Sequence, residues 1–77
     1  MIFSYVRDRK RRKIGVVCAV DSQMVGWSAC KKGDRFSPTK GLEIAEGRAL
    51  NGSNANPPRS FKEDVVAMID RSVRYFK

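Results

Sequence analysis

The stretch Lys13 to Lys32, Lys-Ile-Gly-Val-Val-Cys-Ala-Val-Asp-Ser-Gln-Met-Val-Gly-Trp-Ser-Ala-Cys-Lys-Lys, restricts the fold more than any other part of the chain. Two runs rich in β-branched and aromatic residues flank Asp21-Ser22-Gln23, whose short polar side chains bond their own backbone in tight loops. The segment therefore reads as a β-hairpin over 13–32. Pairing Val20 with Met24 sets Ala19 opposite Val25, Val17 opposite Trp27, Ile14 opposite Cys30 and Lys13 opposite Lys31. Side chains alternate between faces, so Ile14, Val16, Cys18, Val20, Met24 and Cys30 share what is expected to be the core face. The other face mixes apolar and basic groups: Lys13, Val17, Ala19, Val25, Trp27, Ala29 and Lys31. Arg12, Lys13, Lys31 and Lys32 gather at the open end, where like charges repel and an anionic partner relieves the repulsion.

Around this hairpin the chain supplies three more elements. Met1 to Val6 is expected to be a third strand, with Phe3 and Tyr5 on one face and Ile2, Ser4 and Val6 on the other. Ser37-Pro38 is a helix start, since Ser caps free backbone N–H groups and Pro tolerates the first helical position. That helix is predicted over about 38–50, with Leu42, Ile44, Ala45 and Ala49 inward and Asn51-Gly52 as its stop. Gly47 is expected to let it lie close to another backbone. The linker 52–58 is expected to be exposed. Ser60-Phe61-Lys62-Glu63 has the spacing of a capping box, and Phe61, Val65, Met68 or Ile69, Val73 and Phe76 recur at helical spacing, which predicts a second helix over about 60–76. The expectation is an α+β domain in the order β-β-β-α-α, with both helices on one face of a small antiparallel sheet. Val65, Ile69, Val73 and Phe76 are expected to rest on Val16, Cys18 and Val20, so that an Asp at Val65 or Ile69 unfolds the domain. The 77 residues form one domain with a thin core, burying only ~60–65% of the unfolded surface, so self-association as a homodimer would help.

Charge carries the functional signal. The net charge is +8, and residues 1–40 hold ten Lys and Arg against three Asp, while residues 41–77 hold six against five acids. Six of the seven residues in Arg7-Asp8-Arg9-Lys10-Arg11-Arg12-Lys13 are cationic, so segment 7–13 is expected to stay exposed. Such concentration is the electrostatic footprint of a nucleic-acid binder. The residues expected to meet phosphates are Arg9, Lys10, Arg11, Arg12, Lys13, Lys31, Lys32 and Arg35, with Phe36 or Trp27 available to stack on a base unless Trp27 is instead a core or sheet-covering aromatic, a choice its burial decides. No helix-turn-helix or zinc-finger pattern implies sequence-specific readout.

Val25-Gly26-Trp27-Ser28, Asp34-Arg35-Phe36 and Lys40-Gly41-Leu42-Glu43-Ile44-Ala45-Glu46-Gly47-Arg48-Ala49 resemble a pattern in small bacteriophage-encoded proteins of unknown function. The resemblance spans residues 14–50. It implies action in the cytoplasm of a bacterial host and brings no catalytic residues with it. It keeps two partners open: nucleic acid, DNA or RNA, or an acidic surface on a bacterial host protein, which the chain would inhibit or adapt with the same basic edge steering association.

Other chemistries lack their residues. With no histidine, the usual Ser or Cys nucleophile has no imidazole base. Two cysteines without histidine make a poor zinc set, and Cys18 and Cys30 are not opposite each other in the register, so a disulfide is not expected. Glu43 with Glu46, and Glu63 with Asp64, sit among Lys and Arg and read as solvated helix faces rather than an acid–base pair. Neither a phosphate-cradling glycine loop nor a membrane span or signal peptide is expected, the apolar start being too short. The reading is a non-enzymatic binding protein without a cofactor.

Overall fold

The computed structural model describes residues 1–30, 35–51 and 57–76. Three strands, β1 (Ile2–Arg7), β2 (Lys13–Asp21) and β3 (Met24–Ala29), form one antiparallel sheet in the order β1-β2-β3. Two helices follow, α1 (Pro38–Leu50) and α2 (Lys62–Tyr75), the second preceded by a 3-10 turn at Arg59–Phe61. The element order is the α+β arrangement expected from the sequence.

The β2–β3 register follows the expected pairs Ala19 with Val25 and Val17 with Trp27, and the Cys30 N–H donates to the Ile14 carbonyl at 2.8 Å. The turn is tighter than expected. Asp21 itself pairs with Met24, and Val20 becomes the extra residue of a bulge. The cause is the Asp21 carboxylate, whose Oδ1 accepts the Gln23 and Met24 N–H groups at 2.7 and 2.9 Å and closes the chain around Ser22-Gln23 alone. A second irregularity lies where Arg7 pairs with Lys13. It leaves Ile14 unpaired on β1's side and reverses the expected faces of two residues. Ile14 packs with Val17, and Lys13 carries its ammonium 4.2 Å over the Tyr5 ring on the opposite face.

The largest departure concerns the helices, which cover opposite faces of the sheet rather than one. Ala45 and Ala49 of α1 cluster with Val16 and Cys18, flanked by Tyr5, Val20, Phe36 and Leu42. Phe61, Val65 and Met68 cluster with Ile2, Val6, Val17, Ala19 and Val25 on the other side. The reason is visible in β2, where Val16, Val17, Cys18 and Ala19 are all fully buried. Apolar groups on both faces of the central strand require cover on both. Three strands span only about 10 Å between their outer axes, room for a single helix about 10 Å across on each face.

Glycines set the α1 contact, at positions other than the one expected. A Cβ on Gly26 would overlap the Ala45 carbonyl oxygen and lie 2.5 Å from the Ala49 amide nitrogen, so α1 rests directly on the β3 backbone. Gly47, by contrast, has nothing from the rest of the described residues within 4 Å of where its Cβ would be. Ser37 caps α1 as expected, its hydroxyl accepting the Lys40 N–H. Ile44 is largely exposed rather than inward.

Ser60 caps nothing. The chain enters α2 through the 3-10 turn, with the Phe61 N–H donating to the Pro58 carbonyl at 2.8 Å. Phe61, Val65, Met68 and Ser72 face the sheet, while Ile69 and Val73, expected inside, are 39% and 53% exposed. Ser72 is accommodated because its hydroxyl donates to the Ile69 carbonyl at 2.7 Å within its own helix. Of the linker 52–58, residues 52–56 lie outside the described residues, and Pro57 and Pro58 are half-buried rather than exposed. No helix among the described residues is long and apolar enough to cross a membrane.

Candidate nucleic-acid interface

The basic run becomes a tight hairpin loop joining β1 to β2. The Asp8 N–H donates to the Arg12 carbonyl at 3.0 Å and the Arg11 N–H to the Asp8 carbonyl at 2.9 Å, leaving Arg9-Lys10-Arg11 as a three-residue loop. Arg11 closes it in the left-handed region, φ 63°, where a three-residue loop ordinarily uses glycine. A side chain there costs about 1 kcal/mol or more.

Asp8 is the anchor of the loop. Its Oδ1 accepts the Lys10 and Arg12 N–H groups, both at 2.9 Å, and its Oδ2 accepts Arg12 Nε at 3.0 Å. The Arg12 backbone N–H acts most strongly on the Asp8 carboxyl; desolvation, next in size, opposes it, and the Arg12 guanidinium and the Lys10 N–H add to it, so that the carboxyl is held below its ordinary value of 3.8. Arg7 adds a hydrogen bond from its Nη1 to the Arg11 carbonyl at 3.0 Å. One carboxylate thus fixes the backbone from which Arg9, Lys10 and Arg11 project into solvent. Arg12 is drawn toward Asp8 and remains largely exposed.

Other cations are brought to the same end. Lys13 lies over Tyr5, Tyr5 meets Phe36 edge to face at 6.0 Å, and Phe36 follows the exposed Arg35 into α1. Helix α1 begins there, because the Ser28 hydroxyl donates to the Gly41 carbonyl at 2.7 Å, and it runs toward Gly26. Helix α2 begins there as well, since the Phe61 ring occupies the space a Cβ on Gly15 would need, and it ends with Ser72 beside Ser22 at the far turn. Both helices therefore point their positive ends toward the basic loop. The first turn of α1 holds no acid, whereas Glu63 and Asp64 offset the end of α2. Between β3 and the start of α1 runs a groove of about 490 Å³ walled by Arg35, Phe36, Ser37, Lys40 and Ile44.

Of the residues expected to bind, Arg9, Lys10, Arg11, Arg12, Lys13 and Arg35 converge on this pole and are exposed. Lys31 and Lys32 lie outside the described residues. Trp27 is placed differently. Its ring packs against the α2 cluster, with Phe61 edge-on at 6.1 Å and the Arg48 guanidinium 4.4 Å from its centroid. Arg48 also donates from Nη1 to the Trp27 carbonyl at 2.8 Å, gripping edge strand β3 from α1. Trp27 Nε1 is buried and finds no hydrogen-bond partner among the described residues. This placement weakens a base-stacking role for Trp27 without touching the phosphate contacts.

Sequence reasoning missed Tyr5 and Lys40 as members of the pole, and Phe3, opposite Cys18, as the ring that carries their aromatic row toward mid-sheet. Phe3 and Tyr5, 5.6 Å apart and edge to face, extend the row begun by Phe36, and Phe3 is 39% exposed. Their shared face was legible from alternation, but the arrival of Phe36 beside them depends on where α1 docks. Cys18 is fully buried, and burial, with Glu46 adding a like-charge effect, pushes its thiol up to about 11. No three metal-ligating side chains come together among the described residues. No protein-family model, curated protein or solved structure matches the chain.

Proposed function

We propose that the chain is a small basic nucleic-acid-binding protein of phage type, acting in the bacterial cytoplasm and contacting phosphates through the pole that carries Arg9, Lys10, Arg11, Arg12, Lys13 and Arg35. The observation that carries this reading is the convergence of the basic loop and two helix N-termini at one end of the sheet. Cations on a loop fixed by Asp8 lose less freedom when they meet a phosphate than cations on a loose chain. Arg11 supports the reading further, since a cation occupies a left-handed position where glycine fits without strain. Phosphate contact positions a nucleic acid without reading its sequence. Base contact, where it occurs, falls to Phe36, whose ring meets the Tyr5 ring beneath Lys13, while Trp27 serves packing.

The test is fluorescence anisotropy on labelled DNA and RNA across a salt series. Wild-type affinity should fall linearly with salt on a log–log plot. Replacing Arg9, Lys10, Arg11 and Arg12 together by Gln should weaken binding to all sequences alike and flatten the slope by up to ~3.6, at ~0.9 per duplex phosphate contact. Arg71→Gln with Arg74→Gln, near the opposite pole, should change little. Absence of measurable affinity at low salt would end this proposal. A stoichiometric protein captured from nuclease-treated bacterial lysate would then favour the acidic host partner.

A further inference from the structure

We propose that the chain forms a two-fold homodimer through an antiparallel contact between the exposed side of α2 and the same side of a second copy. Val66, Ile69 and Val73 recur at i, i+3 and i+7 and form an apolar stripe just outside the face that α2 gives to the sheet, with exposures of 64%, 39% and 53%. Three large aliphatic residues aligned along one helix go beyond the isolated surface apolar group that needs no explanation. Beside them runs an open depression of about 520 Å³ along Lys62, Glu63, Val66, Ala67 and Asp70, the kind of groove that takes a side-chain ridge from a facing helix.

Charge selects a second copy as the occupant and fixes its direction. The first turn of α2 holds Glu63 and Asp64 beside Lys62, a net −1, and its last turns hold Arg71 and Arg74 beside Asp70, a net +1, with Arg74 paired to Asp70 at 2.9 Å on the exposed surface. An antiparallel pair sets the acidic end of each helix against the basic end of the other, bringing Glu63 of one copy to the rim beside Arg74 of the other. A parallel pair sets like against like. It also places two basic poles side by side, because α2 starts at that pole. At a net charge of +8 per chain this repulsion is decisive. The antiparallel pair separates the poles by about a helix length, roughly 20 Å for fourteen residues, more than two Debye lengths at physiological salt. With the axis between Ile69 and Asp70, Val66 of one copy faces Val73 of the other and the stripe covers itself, as a two-fold contact requires. The dimer leaves a basic pole free at each end.

Sedimentation velocity and light scattering on the intact protein test the arrangement. Wild type should sediment as a dimer, and its concentration-dependent amide shifts should be confined to α2. V66E and V73K alone should each raise the dimer dissociation constant at least about tenfold, since each change enters the contact twice. Both positions are exposed, so the circular dichroism should stay native. The V66E/V73K double variant should recover the dimer, because the two changes face each other only in the antiparallel pair. Binding of a short oligonucleotide should persist in the monomeric variants, so failure of the dimer and failure of phosphate binding are read separately. A wild type that stays monomeric at the concentrations used for NMR overturns the proposal and leaves the stripe to another protein. A dimer unmoved by both single variants, or not recovered in the double variant, also overturns it.

Discussion

Alanine at two glycines, Gly26 and Gly47, should have opposite effects, and the difference measures how closely α1 lies on the sheet. At Gly26 a methyl would overlap the Ala45 carbonyl oxygen and sit 2.5 and 3.1 Å from the amide nitrogen and Cα of Ala49. These atoms are helix backbone, so no side chain can swing aside. Relief requires α1 to retreat from β3, which opens the contacts of Ala45 and Ala49 with Val16 and Cys18 and strains the Arg48 hydrogen bond to the Trp27 carbonyl. Overpacking of this kind costs about 1–3 kcal/mol, and a rigid backbone obstacle places Gly26→Ala at the upper end, about 3 kcal/mol. At Gly47 the added methyl meets open space, and alanine in a helix interior should stabilise by about 0.5–1 kcal/mol. Total stability for a chain of this length is about 4–12 kcal/mol, so the Gly26 loss is a large fraction of it. Urea denaturation followed by circular dichroism reads both, as a lower midpoint for Gly26→Ala and a higher one for Gly47→Ala at unchanged slope. A Gly26→Ala protein as stable as wild type would refute the seating of α1 on β3. A Gly47→Ala protein destabilised by more than about 1 kcal/mol would mean that position is occupied after all.

Three further outcomes are expected. Asp8 should titrate below its ordinary value of 3.8, because its folded-state acidity is raised by the Arg12 and Lys10 hydrogen bonds. Its contribution to loop order is therefore present above the unfolded value and lost as pH falls through the lower folded one; an Asp8 carboxyl shift with a midpoint at or above 3.8, followed by NMR, would contradict this. The Cys18 thiol, fully buried and shifted up to about 11, should resist alkylation at neutral pH until the protein unfolds, and labelling of native protein with mass spectrometry would expose any error. Val65→Asp should unfold the domain, as an unpaired charge in the α2 cluster, while Ile69→Asp should remain folded because that side chain is 39% exposed. Amide protection that survives in the Val65 variant would remove α2 from the core.

Local physics made much of this molecule legible. Alternation of Val, Ala, Cys and Trp around a short polar loop was enough for the hairpin and for its mid-strand register, Val17 with Trp27 and Ala19 with Val25, because shifting a strand by one residue would turn every side chain to the wrong face. Ser37-Pro38 was enough for the start of α1, since capping involves only neighbours in the chain. The density of cations from Arg7 to Lys13 was enough to name the pole, because such a run cannot be buried. Tertiary structure decided the rest. Whether α2 covers the same face as α1 is a question of width, and no periodicity in α2 alone carries that information. The bulges at Ile14 and Val20 depend on hydrogen bonds made by the Asp8 and Asp21 loops, which then exchange the faces of Lys13 and Ile14. Whether Trp27 covers the sheet or stacks on a base is open in the sequence, and Phe61 and Arg48, arriving from elements far along the chain, decide for packing. Ile69 and Val73 fit the helical stripe as well as Met68 and Ser72 do. The sheet, rotated toward Val65, Met68 and Ser72, left the two aliphatic residues outside, because a flat three-stranded face buries only the part of a helix that touches it.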